Sequence, residues 1–85
     1  MEKKEIETIV IENLTNITGL SSESIAKIKS DNLFKMGILN SLTLVSLMDM
    51  IENKMNLKID IKQCEFSDFE SVNSIVDMLV LLGNN

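Results

Sequence analysis

Four stretches of this chain place apolar residues at three- and four-residue spacing, the period of a helix with one buried face. Over residues 3–18 the stripe is Ile6, Ile9, Val10, Leu14 and Ile17, and Gly19 follows where a helix would end on a left-handed residue. Ile11 falls off that stripe and is expected at the surface. Leu44, Val45, Leu47, Met48, Ile51 and Met55 make the second stripe, over residues 41–55. A short third helix is expected around 63–69, offering Phe66 and Phe69. Ser71 then caps a final helix with Val72, Ile75, Val76, Leu79 and Leu82 on one side. Val80 and Leu81 widen that side and point to an exposed C-terminal end.

Leu57, Ile59 and Ile61 alternate with Lys58 and Asp60, which is formally a strand pattern. No second run exists to pair with it, and a lone strand would leave its backbone groups unsatisfied. An extended crossover is the better reading. Residues 20–40 form a long first connection. Ser21, Ser22 and Ser24 mark a turn there, Ile25 and Ile28 could make a short helical turn, and Leu33, Phe34 and Ile38 are apolar plugs. So long a connection in so small a chain is functional or anchored to the core. The expected fold is all-α: a small antiparallel bundle of three longer helices and one short one, a single domain over residues 1–85. A helix-turn-helix domain and a four-helix adaptor share this pattern.

Composition removes most activities. Without histidine the chain can build neither a Ser-His nor a Cys-His pair, and with one cysteine it lacks the usual zinc ligands. No catalytic residue and no metal site is expected. Net charge is −5, and arginine, tryptophan and tyrosine are absent, so nucleic acid would be repelled and would find no stacking platform. This charge also weighs against the helix-turn-helix reading. No run of about eighteen apolar residues could span a membrane. The opening Met-Glu-Lys-Lys-Glu is neither a secretory leader nor a transit peptide. The single Cys64, beside Glu65, reads as an apolar filler with a raised thiol pKa, and a reducing cytoplasm fits it.

One serine stands out. In Gly37-Ile38-Leu39-Asn40-Ser41-Leu42, Asn40 is a good N-cap and Ser41 becomes the first residue of the helix that follows. A hydroxyl there sits beside the positive end of the helix dipole, which suits an anion such as a phosphate ester. With no catalytic partner in the chain, any chemistry at Ser41 must be done by other proteins.

The stretch Asp31-Asn32-Leu33-Phe34-Lys35-Met36-Gly37-Ile38-Leu39-Asn40-Ser41-Leu42 resembles the signature of acyl and peptidyl carrier proteins, a loop running into Gly-φ-φ-Asp-Ser-Leu. The resemblance continues through Leu44-Val45, Leu47, Ile51-Glu52 and Met55 to Ser71-Val72 and the last helix, about residues 5–82. It implies an acyl-carrier-protein-like bundle and names Ser41 as the residue that accepts 4′-phosphopantetheine from coenzyme A. The arm's thiol would hold an acyl or aminoacyl group as a thioester. The implied partners are a phosphopantetheinyl transferase, an adenylating ligase or acyltransferase, and a downstream acceptor enzyme, all meeting a monomeric carrier. The departure is Asn40, where the family commonly has aspartate: the cap is kept and the charge is lost.

Fatty-acid carriers line this helix with acidic residues that steer basic partners. Here the positions after Ser41 expected to be exposed are Thr43, Ser46, Asp49, Glu52 and Asn53, a weakly charged face. The expected partner-binding residues are Asn40, Leu42, Val45, Asp49 and Glu52, with Met48 or Met50 as softer contacts. Val45 and Met48 could equally belong to the core. The stretch from Cys64 to Ser71 looks like that of D-alanyl and other discrete aminoacyl carriers, favouring a dedicated carrier over a housekeeping one. A different class stays open: an unmodified helical interaction module with a carrier-like fold.

Overall fold

The computed structural model describes residues 1–83, the side chain of Ile61 excepted. It contains four α-helices: α1 (Lys3–Thr18), α2 (Ser22–Ala26), α3 (Ser41–Met55) and α4 (Val72–Gly83). Two 3-10 helices, Ile61–Gln63 and Phe66–Phe69, lie between α3 and α4, and the described residues include no strand. Three helices are long and one is short, as the apolar periodicity implies. The short α-helix, however, lies in the first connection. The stretch around 63–69 winds only into 3-10 turns, whose poorer hydrogen-bond geometry keeps such runs to a few residues.

Local chemistry sets the helix ends. Gly19 closes α1 in the left-handed region at φ 78°, donating its N–H to the Thr15 carbonyl. Asn56 closes α3 in the same conformation at φ 54°, which asparagine tolerates better than most residues. Ser71 starts α4: its Oγ accepts the Ser74 N–H at 3.1 Å, and the Ser74 hydroxyl accepts the Ser71 N–H at 3.0 Å. Ser21 caps α2, its Oγ accepting the Ser24 N–H at 3.1 Å and donating to the Ser24 hydroxyl at 2.9 Å.

α1 packs against α2, α3 and α4. Its Ile6, Val10 and Leu14 meet Leu47, Met48 and Ile51 of α3 and Val72, Ile75, Val76, Met78 and Leu79 of α4 in one buried core. Because three helices surround it, α1 buries more than a single stripe. Ile11 is therefore half-buried against the core rather than exposed. Asn13 is buried as well, its Nδ2 donating to the Ile9 carbonyl at 2.7 Å, so it enters the interior with its amide engaged.

The connections contribute core residues of their own: Ile25, Leu33, Leu39, Ile59 and Phe69 are all buried. Residues 57–60 form an irregular crossover tied back to α3, since the Glu52 carboxylate accepts the Ile59 N–H at 2.6 Å. In α4, Met78 is buried and Leu81 is exposed, as expected of a helix with one face free. The final asparagines, where an exposed end is expected, lie outside the described residues.

Candidate functional site: the serine at the start of α3

The loop before Ser41 is built by its own backbone. Asn32 Oδ1 accepts the N–H groups of Phe34 and Lys35, both at 3.0 Å, and so folds the chain into a turn. Gly37 continues it at φ 76°, a conformation that glycine adopts without strain. The chain then doubles back, and the Leu33 carbonyl accepts the N–H groups of Ile38 at 2.9 Å and Leu39 at 3.1 Å. With Leu33 and Leu39 both buried, the loop is pinned at two points just ahead of the serine.

Its far side is fixed to the opposite end of the sequence. The Leu33 N–H donates to the Glu70 carbonyl at 2.6 Å, and the Asn73 N–H donates to the Lys29 carbonyl at 3.0 Å. Phe34 packs on Phe66 with ring centroids 4.8 Å apart and tilted by 41°, a favourable geometry for an aromatic pair. Phe34 is only half-buried, so Leu33 is the true anchor, and Phe66 remains 61% exposed.

Asn40 is the cap. Its Oδ1 accepts the N–H groups of Leu42 and Thr43, each at 3.0 Å, and its carbonyl accepts the Leu44 N–H at 2.8 Å. Thr43 reciprocates, its hydroxyl accepting the Asn40 N–H at 2.8 Å. This is a capping box with threonine in place of the usual glutamate. Thr43 is thus half-buried and engaged, not the free surface residue expected. The signal was present in its position three residues after the cap. Ser41 is exposed at the first position of α3, and among the described residues nothing hydrogen-bonds its hydroxyl or its backbone N–H. No acidic residue stands in the first turn. An exposed hydroxyl at a helix start whose first turn holds no acidic residue fits a phosphodiester.

Of the residues expected to meet partners, Asn40, Leu42, Val45 and Asp49 are exposed. Leu42 and Val45, 78% and 50% exposed, share one face of α3 with Asp49 at i, i+3 and i+7. Met48 belongs to the core at 2% exposed, which settles which of the two ambiguous residues faces outward. Glu52, expected to be exposed, is half-buried instead, and its carboxylate accepts the Ile59 N–H, so its local role is to secure the crossover. Asp77 of α4 pairs with Lys3 of α1 at 3.1 Å. Cys64 is half-buried, and burial first, then the charges of Asp68 and Asp60, raise its thiol pKa above the ordinary value. No group of His, Cys, Asp and Glu suited to a metal ion occurs among the described residues. No described helix is long and apolar enough to cross a membrane.

A surface hollow lined by Glu52, Asn53, Asn56, Leu57 and Lys58 lies toward the other end of α3. At 1.5 Å per residue, Asn53 is about 18 Å along the helix from Ser41. The hollow is therefore no part of the serine site.

Comparison with known proteins agrees with this geometry. The family described as "Phosphopantetheine attachment site" matches residues 9–79. A D-alanyl carrier protein of Streptococcus uberis is 35% identical over 65 residues, spanning 76% of this chain and 82% of that protein. No solved structure matches significantly. An all-helical fold, an exposed serine opening α3 and a family match across most of the chain lead to one assignment: this protein belongs to the phosphopantetheine-binding carrier proteins.

Proposed function

We propose that Ser41 is the attachment point of the 4′-phosphopantetheine arm that this family bears, and that the chain is a free-standing, monomeric carrier. Members of the family are substrates of other enzymes rather than enzymes themselves. The observation that carries the reading is the exposed, unengaged Ser41 hydroxyl at the first position of α3, within the matched residues. The arm, when attached, supplies the thiol on which cargo is held as a thioester. The chain's own residues supply the rest: Asn40 fixes the helix start, Leu33 and Leu39 pin the loop that presents it, and Leu42 and Val45 offer an apolar face to partners.

In this reading a phosphopantetheinyl transferase modifies Ser41, an adenylating ligase or acyltransferase loads the thiol, and a further cytoplasmic enzyme accepts the cargo. The likeness to a D-alanyl carrier protein supports a small aminoacyl cargo. The packing of α1 on α3 and α4 supports a single small antiparallel bundle. Incubation with a transferase and coenzyme A should add one phosphopantetheinyl group to the wild type, by intact mass, and none to Ser41→Ala. No gain with several transferases of differing specificity would leave an unmodified interaction module as the better account.

A further inference from the structure

A cap aspartate performs two tasks at once: it accepts backbone hydrogen bonds and it places a negative charge at the positive end of the helix. At α3 these tasks are separated. Asn40 Oδ1 takes the N–H groups of Leu42 and Thr43, so the donors are satisfied. The first turn nevertheless contains no acidic residue, so the dipole, equivalent to roughly half a positive charge, meets no counter-charge there. The family match, over residues 9–79, independently specifies a phosphate-bearing group on this chain.

We infer that the phosphodiester formed on Ser41 supplies the missing anion, so that modification itself stabilises α3, and that the neutral Asn40 is what makes the fold sensitive to it. The inference rests on the reading of Ser41 as the attachment site. Ser41 is the first helical residue, and the dipole effect is confined to the first turn, so a charge on its oxygen lies within range. An aspartate at position 40 would already neutralise the helix end in the unmodified protein. It would also stand one residue from the phosphodiester, where like charges repel. Modification would then bring little gain or a loss. Asn40 in this way links the firmness of the helix that presents the arm to whether the arm is present.

The test compares melting temperatures of unmodified and modified protein, with attachment verified by mass, for the wild type and for Asn40→Asp. Aspartate caps as well as asparagine, so the variant keeps the cap. At low ionic strength the modified wild type should melt about 2–6 °C above the unmodified form. In Asn40→Asp that gain should vanish or reverse. In about 1 M salt, where the screening length is about 3 Å, the wild-type gain should shrink as well. Ser41→Asp, alone and combined with Asn40→Asp, gives the same comparison without a transferase: the carboxylate should raise the melting temperature in the first background and not in the second. Equal melting of modified and unmodified wild type, or an equal gain in Asn40→Asp, would overturn the inference while leaving the attachment reading intact. Absence of any mass gain would remove that reading and this inference together.

Discussion

The backbone N–H of Leu33 donates to the carbonyl of Glu70 at 2.6 Å, which ties the loop that delivers Ser41 to the segment that opens the last helix. Leu33 itself is fully buried and its carbonyl receives Ile38 and Leu39. The position of the serine is therefore set by the core and not by the loop alone.

Leu33→Ala should cost about 3 kcal/mol, within the usual range for a buried leucine. Phe34→Ala should cost less, on the order of 1 kcal/mol, because Phe34 keeps only its tilted contact with Phe66 and part of its burial. Denaturant titration of both variants checks the ranking. A larger loss for Phe34→Ala would make the aromatic pair, and not Leu33, the anchor of the first connection.

Glu52 should matter to the fold. Its carboxylate is the acceptor for the Ile59 N–H, and a hydrogen bond to a charged acceptor contributes roughly 1.5–3 kcal/mol when partly shielded. Glu52→Ala should lose a sizeable part of that, and Glu52→Gln should lose less, since an amide oxygen can still accept. Hydrogen exchange should report the loss at the Ile59 amide first. Unchanged exchange there in Glu52→Ala would return Glu52 to the role of a free surface charge.

Cys64 should react slowly with an alkylating agent at neutral pH. Burial, with smaller contributions from Asp68 and Asp60, raises its pKa, so less thiolate is present at a given pH than in an unstructured peptide. The rate should climb as pH rises and should respond only in part to salt, because salt screens the two carboxylates but does not undo burial. Alkylation as fast as in a short cysteine peptide at pH 7 would contradict this environment.

Leu42→Ala should slow loading by the cognate ligase and leave stability nearly unchanged, since the side chain is 78% exposed. Loading should also depend weakly on ionic strength, because apolar burial is not screened as exposed charges are. Asp49→Lys, which leaves the crossover bond of Glu52 untouched, is the proper test of charge on this face. If loading collapses with salt and Asp49→Lys is more damaged than Leu42→Ala, partners are met through charge.

The helix ends were the most legible part of the chain, because caps are local chemistry: Gly19, Asn40 and Ser71 each stand where the observed helices begin or end. That Ser41 opens α3 was legible for the same reason. Apart from the local bond of Thr43 to Asn40, what escaped depended on how the chain folds back on itself. Leu39 enters the core only because the loop doubles back on Leu33. Phe34 finds Phe66, and Asp77 finds Lys3, across folds that periodicity does not describe. Val45 and Met48 are three residues apart on one stripe, and only the placement of neighbouring helices decided that Met48 turns inward.

The most direct measurement is made on protein isolated from its own host. Cleavage after lysine releases the segment from Met36 to Lys54, which holds three hydroxyl side chains, Ser41, Thr43 and Ser46. Fragmentation mass spectrometry of that peptide should place a single phosphopantetheinyl group on Ser41, with part of the population bearing an additional thioester-bound mass that alkaline treatment removes. A peptide unmodified in a host whose other carriers are modified, or a group found on Thr43 or Ser46 instead, would contradict the account.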